Sequence, residues 1–438
     1  MKIVVSGLWH LGCVTAACLA EHYDVVGHDP DGSVIAGLRA GEPPLFEPGL
    51  AELLERDVRA GRLTYTADAS AAAQADVLWI AYDTPVDERD VADVDLVRRH
   101  IEELVPFVPA GTLVVIASQV PVGFLARMER RAAELGAEVT FAACPENLRL
   151  GDALEIYRHP DRIVAGVRTE RDRARLGTLL APFSTNVVWM SPESAEMTKH
   201  AINAFLATSV TFINEIAGLC EGVGADVKDV ERGLKSESRI GPRAYLSAGD
   251  GFAGGTLARD VRALSAIDAD ADSPRNVLTG VLATNERQQR WTDRVLRREL
   301  EDLGRSRLAV LGLTYKPGTD TLRRSASVAL CLRMHALGAS IAAYDPAVRR
   351  LPAELTTAID LAPDLETALA GADALVVGTD WPEFRALSPQ RLSAMRRRLV
   401  VDPRRFLEGA LGGDAAVRYL GVGLPHPSGD PRPVTGTP

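Results

Sequence analysis

At 438 residues the chain exceeds the roughly 250–300 residues at which a single hydrophobic core stops growing, so two or three domains are expected. Its 46% hydrophobic and 25% charged residues exclude a disordered or fibrous chain, and a formal net charge of −10 argues against a nucleic-acid backbone as partner, which would call for a basic face. The five cysteines (Cys13, Cys18, Cys144, Cys220, Cys331) show neither metal-ligand nor disulfide spacing, so no metal is expected and a cytoplasmic location fits.

The opening stretch, MKIVVSGLWHLGCVTAACLA, begins basic and ends in small residues like a secretory leader. Gly7, His10 and Gly12 interrupt its apolar run, so a cytoplasmic chain without a leader is the expectation. No uninterrupted apolar run approaches the roughly 18 residues of a membrane helix, and no membrane partner is expected.

KIVVSG, HLGCVTAACLAEH, DVVGHD, VIAGLRAG and ADVLWIAYDTP alternate short apolar runs with helical periodicity. This is the rhythm of a doubly wound parallel sheet, whose central strands are buried on both faces and lose their alternation. Further strands are expected at TLVVIAS, EVTFAACP, RIVAGV and NVVWMS. From Ser191 to about Arg298 the pattern turns helical, with one long helix expected over 191–224. The strand–helix rhythm restarts at RLAVLGLTY and runs through SIAAYDP, ADALVVGTD and LVVDP. The expected architecture is therefore α/β: two Rossmann-like doubly wound domains, 1–190 and 299–420, joined by a central helical dimerisation region, 191–298. The tail 421–438, rich in proline and glycine, is expected to be disordered.

Between the first strand and the first helix stands Gly7-Leu8-Trp9-His10-Leu11-Gly12. A glycine turn here seats a dinucleotide pyrophosphate on the helix N-terminus, but Trp9 occupies the middle position of the usual G-x-G-x-x-G. Asp29, closing the second strand, is placed to accept a ribose 2′-hydroxyl, which favours NAD over NADP.

Together GEPPLFEPGL, SQVPVG, CPENLRLGDA, PDRIVAG, AEMTKHAINAF, FINEIAGLCEGVGADV, GFAGGTLARD, YKPGTDTLRRS and TDWPEF resemble the nucleotide-sugar dehydrogenases of the UDP-glucose/GDP-mannose type, in that family's order and over about nine-tenths of the chain. The resemblance implies an NAD enzyme that oxidises the C6 alcohol of a UDP- or GDP-hexose twice, through an aldehyde, a cysteine thiohemiacetal and a thioester, and works as a homodimer. It implies that Gly7, Trp9, Leu11, Gly12, Asp29, Thr84, Pro85 and Ser118 border the cofactor. Lys199 and Asn203 fall where the family stabilises the oxyanion, Asp260 where a carboxylate helps take the alcohol proton through water, and Glu146 on the first acid of the N-P-E-F-L-R-E run. Leu148, Arg149, Gly251, Phe252, Gly254, Lys316 and Arg323 fall on substrate positions, and Arg239 on an arginine that the family reaches across its dimer interface.

The departures from the family concentrate on the covalent half of the chemistry. The cysteine nucleophile falls on Thr256, the following lysine on Arg259, and the second acid of the N-P-E run on Leu150. Gln119 replaces a threonine, and Thr321 and Arg324 replace two acids near the nucleotide. A thiol costs about 2 kcal/mol to ionise at pH 7, an alcohol about 12 kcal/mol, so Thr256 is not expected to act as a nucleophile. The expectation is oxidation of a UDP-hexose that stops at the aldehyde. Full oxidation through another nucleophile such as Cys144, and a catalytically silent nucleotide-sugar binder, are the alternatives.

Overall fold

The computed structural model describes residues 1–84, 93–253, 255–267 and 276–425; the expected site residues Pro85 and Gly254 lie outside the described residues. The chain forms two compact units, Met1–Ile202 and Asn203–Pro438.

In the first unit eight strands, β1 (Lys2–Ser6), β2 (Asp24–His28), β3 (Leu63–Thr66), β4 (Val77–Ile80), β5 (Leu113–Ile116), β6 (Thr140–Ala143), β7 (Ile163–Gly166) and β8 (Val187–Met190), form one sheet ordered β3-β2-β1-β4-β5-β6-β7-β8. All neighbours pair parallel except β6 and β7, which meet antiparallel at Ala143 and Gly166. Strand order reverses between β1 and β4, which opens a crevice at their carboxyl ends. The unbroken apolar runs have the expected cause. Ile3, Val5 and Trp79 enter the core on one face, Val4, Leu78 and Ile80 that on the other. Each fully buried side chain of this size contributes about 1.5–3 kcal/mol.

The second unit repeats the arrangement with six parallel strands, β9 (Arg307–Leu311), β10 (Ser340–Tyr344), β11 (Asp360–Leu361), β12 (Ala374–Val377), β13 (Leu399–Val401) and β14 (Arg418–Leu420), ordered β11-β10-β9-β12-β13-β14. Its reversal point lies between β9 and β12.

The long helix runs Pro192–Val223, and Gly224, at φ +81, ends it in the left-handed conformation that suits glycine. By length and composition alone this helix would be able to cross a membrane. Within it, however, Glu196, His200 and Asn203 are buried polar side chains with partners inside the protein.

Two expectations need correction. The helical middle is interrupted: 237–253 carries no helix, because Gly241, Pro242, Gly249 and Gly251 break it and two of these glycines take positive φ. The ordered chain also extends beyond 420. Gly421 and Val422 are buried, Gly423 N donates to Glu221 Oε1 at 2.9 Å, and Val227 N donates to Gly423 O at 3.0 Å. The remainder of the tail, 426–438, lies outside the described residues.

Candidate active site

At the crevice of the first sheet the fingerprint makes a tight turn. Gly7 holds φ +95, and a methyl built on it would meet Tyr82 N at 2.7 Å. A methyl on Gly12 would fall 1.7 Å from Gly7 O, so the first helix can approach β1 only through glycine. Trp9 is different. It caps the helix His10–Ala20 at φ −90, a conformation open to any residue, and the residue is 45% exposed. Glycine at that position would provide room for a ligand rather than backbone freedom. Leu11 packs against the core. Asp29 accepts from Leu8 N at 2.7 Å through Oδ2 and from Asp31 N at 3.0 Å through Oδ1, so the carboxylate also holds the turn. Thr84 donates to Gln119 O at 2.7 Å, and the buried Ser118 Oγ has no partner among the described residues. A glycine cradle, an open helix N-terminus and an unsatisfied hydroxyl fit the pyrophosphate and ribose of NAD.

The loop after β6 carries a second group of expected residues. Glu146 keeps some accessible surface, yet it is so enclosed by protein that desolvation pushes its carboxyl up to about 7, against the opposing pull of the Lys199 ammonium. Lys199 Nζ donates to Asn147 Oδ1 at 2.8 Å. Leu148 packs on the core, while Arg149 and Leu150 are exposed. Cys144 is fully buried, and its thiol is raised far above the usual range by that burial and by the nearby Glu146.

In the second unit the glycine loop runs into the helix Thr256–Ser265. Thr256 is its exposed first residue, and Asp260 lies in its middle, 0% exposed, so Asp260 is no helix cap. Asn203 Nδ2 donates to Asp260 Oδ2, and Arg259 Nε stands 3.5 Å from Asp260 Oδ1. Phe252 N donates to Asn285 Oδ1 and Phe252 O accepts from Asn285 Nδ2, both at 2.9 Å. Gly251, at φ +83, leaves room for that amide, since a methyl there would lie 2.5 Å from Asn285 Oδ1.

Beside the loop, at the reversal point of the second sheet, is a pocket of about 320 Å3 whose wall includes Gly251, Ala253, Lys316, Ser327, Gly378 and Arg404. Arg404 pairs with Asp250 at 2.5 Å and with Asp380 at 2.8 Å. Lys316 is half-buried on this wall, whereas Arg323 is exposed on a neighbouring turn. Arg239 is exposed and pairs with Glu237 at 2.9 Å.

Sequence reasoning missed three residues that shape these sites: Glu47, Asn285 and Arg404. Glu47, buried in the EPGL stretch, accepts from Gly151 N and Ala153 N, both at 2.8 Å, and pairs with His10 Nε2 at 2.9 Å. It thereby ties the fingerprint helix to the loop after β6. An acid flanked by Phe46 and Pro48 in a largely apolar stretch was the available signal.

Two sheet units, one with a dinucleotide cradle and one with both a polar pocket and a buried carboxylate, describe the class: an NAD-dependent dehydrogenase with a second site. Comparison with known proteins gives the same class. The UDP-glucose/GDP-mannose dehydrogenase family matches in three parts: its NAD binding domain at residues 1–184, its central domain at 193–287 and its UDP binding domain at 309–409. The chain is 39% identical over 437 residues to a UDP-glucose 6-dehydrogenase of Rhizobium meliloti (strain 1021), covering 97% of this chain and 100% of that one. A UDP-glucose dehydrogenase structure from Pyrobaculum islandicum superposes with a TM-score of 0.86 at 31% identity, over 97% of this chain and 98% of that one. A UDP-D-ManNAc dehydrogenase structure from Pyrococcus horikoshii gives 0.84 at 26% identity, over 97% and 99%. The chain belongs to the UDP-glucose/GDP-mannose dehydrogenase family. It is an NAD-dependent nucleotide-sugar dehydrogenase.

Proposed function

We propose that the protein oxidises the C6 alcohol of a UDP-hexose and releases the aldehyde or its hydrate, with one NADH formed per sugar. The observation that carries this reading is the buried Asn203–Asp260 pair standing on the same helix-and-loop assembly as an exposed Thr256. NAD, when bound, accepts the hydride. Gly7, Leu11, Gly12, Asp29, Thr84, Pro85 and Ser118 border it, with Trp9 at the fingerprint turn.

Asp260 takes up the alcohol proton, directly or through water, and the Asn203 amide and Arg259 guanidinium at its two oxygens fix its orientation. Lys199, one turn before Asn203 on the Pro192–Val223 helix, stabilises the developing alkoxide together with Asn203. Glu146 faces the Lys199 charge, whose pull opposes the desolvation of the carboxyl. Leu148, Arg149, Gly251, Phe252, Gly254, Lys316 and Arg323 bind substrate. Arg239, exposed at a loop, reaches a second copy across a homodimer contact formed by the long helix.

The second oxidation needs an adduct at the aldehyde carbon. The hydroxyl of Thr256 faces about 12 kcal/mol of ionisation cost, and among the described residues no Ser/Thr–His–acid arrangement accompanies it. Relocating the nucleophile to Cys144 is opposed by the burial of that thiol. A silent binder is opposed by Asp260 and Asn203, because a pure binder needs no such pair. Mass spectrometry of the product with substrate limiting and NAD in excess tests the reading. Aldehyde or hydrate at one NADH per sugar is the expected result, and uronic acid at two NADH per sugar would refute it.

A further inference from the structure

Among the described residues only two non-glycine positions take a left-handed backbone, Arg324 at φ +59 and Arg405 at φ +58. This conformation is disfavoured for side chains larger than glycine and persists where surrounding contacts or function require it. For Arg405 the reason is visible: its guanidinium pairs with Asp226 at 2.8 Å through Nη2 and with Glu408 at 3.0 Å through Nε. Arg324 is turned instead toward the glycine loop. A methyl on Gly255 would lie 3.1 Å from Arg324 Nη1, and Gly255 itself is at φ +111. The guanidinium thus lies against the backbone immediately before Thr256. The turn is fixed from the other side by Ser325, whose Oγ accepts from Val328 N at 3.2 Å and caps the following helix.

This places a cation at a defined point. On one side of Gly255 are Gly251 and Ala253, which form part of the pocket wall; on the other are Thr256 and, one helical turn on, Asp260. A nucleotide sugar seated in the pocket with its hexose at Asp260 must carry its diphosphate past Gly255, where the backbone offers no side chain to obstruct it. The two pocket cations differ from Arg324 in role. Arg404 and Lys316 both stand on the wall of the pocket itself, whereas Arg324 stands against Gly255. An arginine presents a planar fork suited to two phosphate oxygens.

We propose that Arg324 is a substrate-binding residue that grips the sugar-side phosphate of the nucleotide sugar against Gly255 and so sets the hexose at Thr256 and Asp260. The assignment rests on the nucleotide-sugar reading above and extends it to a residue outside the family's expected substrate set.

Calorimetry with UDP and with UMP, on the full-length wild type and on Arg324→Gln and Arg324→Lys, tests it. The expected result is that Arg324→Gln weakens UDP by about tenfold or more while UMP binding changes less than about twofold, and that Arg324→Lys falls between because it keeps charge but loses the fork. NAD affinity should be unchanged in both variants, which also reports that they are folded. Gly255→Ala, which pushes the guanidinium aside, should reproduce the loss for UDP. A wild type that binds UDP with an Arg324→Gln variant that binds it as tightly would overturn this assignment alone, as would equal losses for UDP and UMP. A wild type that binds neither ligand would overturn the nucleotide-sugar reading and this assignment with it.

Discussion

Asn203 donates through its amide to Oδ2 of Asp260, and both side chains are buried in the second unit. A carboxylate so deep is costly unless its oxygens have partners, and here an amide N–H donates to one oxygen while the Arg259 guanidinium stands 3.5 Å from the other. Asp260→Asn should therefore lower kcat by about 10²–10⁴, the range for loss of a general base, with KM for the sugar nucleotide within about threefold. Asn203→Ala should lower kcat too and leave Asp260 short of one hydrogen bond, at about 1–3 kcal/mol of stability. Steady-state kinetics and thermal melts separate the two effects.

Cofactor choice should depend on Asp29. Its carboxylate would repel a 2′-phosphate, while one of its oxygens holds Leu8 N. Asp29→Asn keeps an acceptor for that N–H and should narrow the NAD over NADP preference by about tenfold, some 1.4 kcal/mol. Titration of both cofactors by calorimetry measures it. An unchanged preference would remove Asp29 from the ribose site.

Glu146, raised to about 7 chiefly by desolvation, should impose a limb on the pH–rate profile. Activity is expected to climb as pH rises through about 7 and the carboxylate forms beside Lys199, and Glu146→Gln should abolish that limb. The effect on stability has a definite sign. A folded-state value above the unfolded one means that Glu146 contributes fully below the usual 4.5 and that its contribution is lost as pH rises through 7. The Gln variant should therefore be at least as stable as the wild type at pH 8, as read by denaturant melts.

Along the long helix Phe205, Phe212 and Leu219 are 71%, 47% and 61% exposed at a spacing of seven residues, which makes an apolar stripe down one face. Burying such side chains against a second copy contributes about 1.5–3 kcal/mol each. Sedimentation of the wild type at micromolar concentration should show a dimer, and Phe212→Asp should shift it toward monomer. A monomeric wild type would remove the helix from the interface.

The strand–helix rhythm of both sheets was legible because burial on two faces leaves an unmistakable apolar run, as in KIVVSG and RLAVLGLTY. Gly7 and Gly12 were legible because a tight turn allows no other residue, and Asp260 because its motif is local. What escaped the sequence was made by partners distant in the chain. Glu47 meets Gly151 and Ala153, Asn285 meets Phe252, and Arg404 meets Asp250, each pair far apart in sequence and joined only by folding. The break at 237–253 follows from its own glycines and proline, which stand between two strongly helical stretches. Arg324 was legible as a departure but not as a contact, since a left-handed φ at arginine has no sequence signature.

All five cysteines are buried and unpaired with one another, and the helix Thr256–Ser265 opens on an exposed threonine. Among the described residues, therefore, no cysteine thiol is exposed to a thiol-directed alkylating reagent. If the reaction runs without a thiol, as proposed, thiol-directed reagents and heavy-metal thiophiles should leave its rate unchanged, which a time course of NADH formation after such treatment would read.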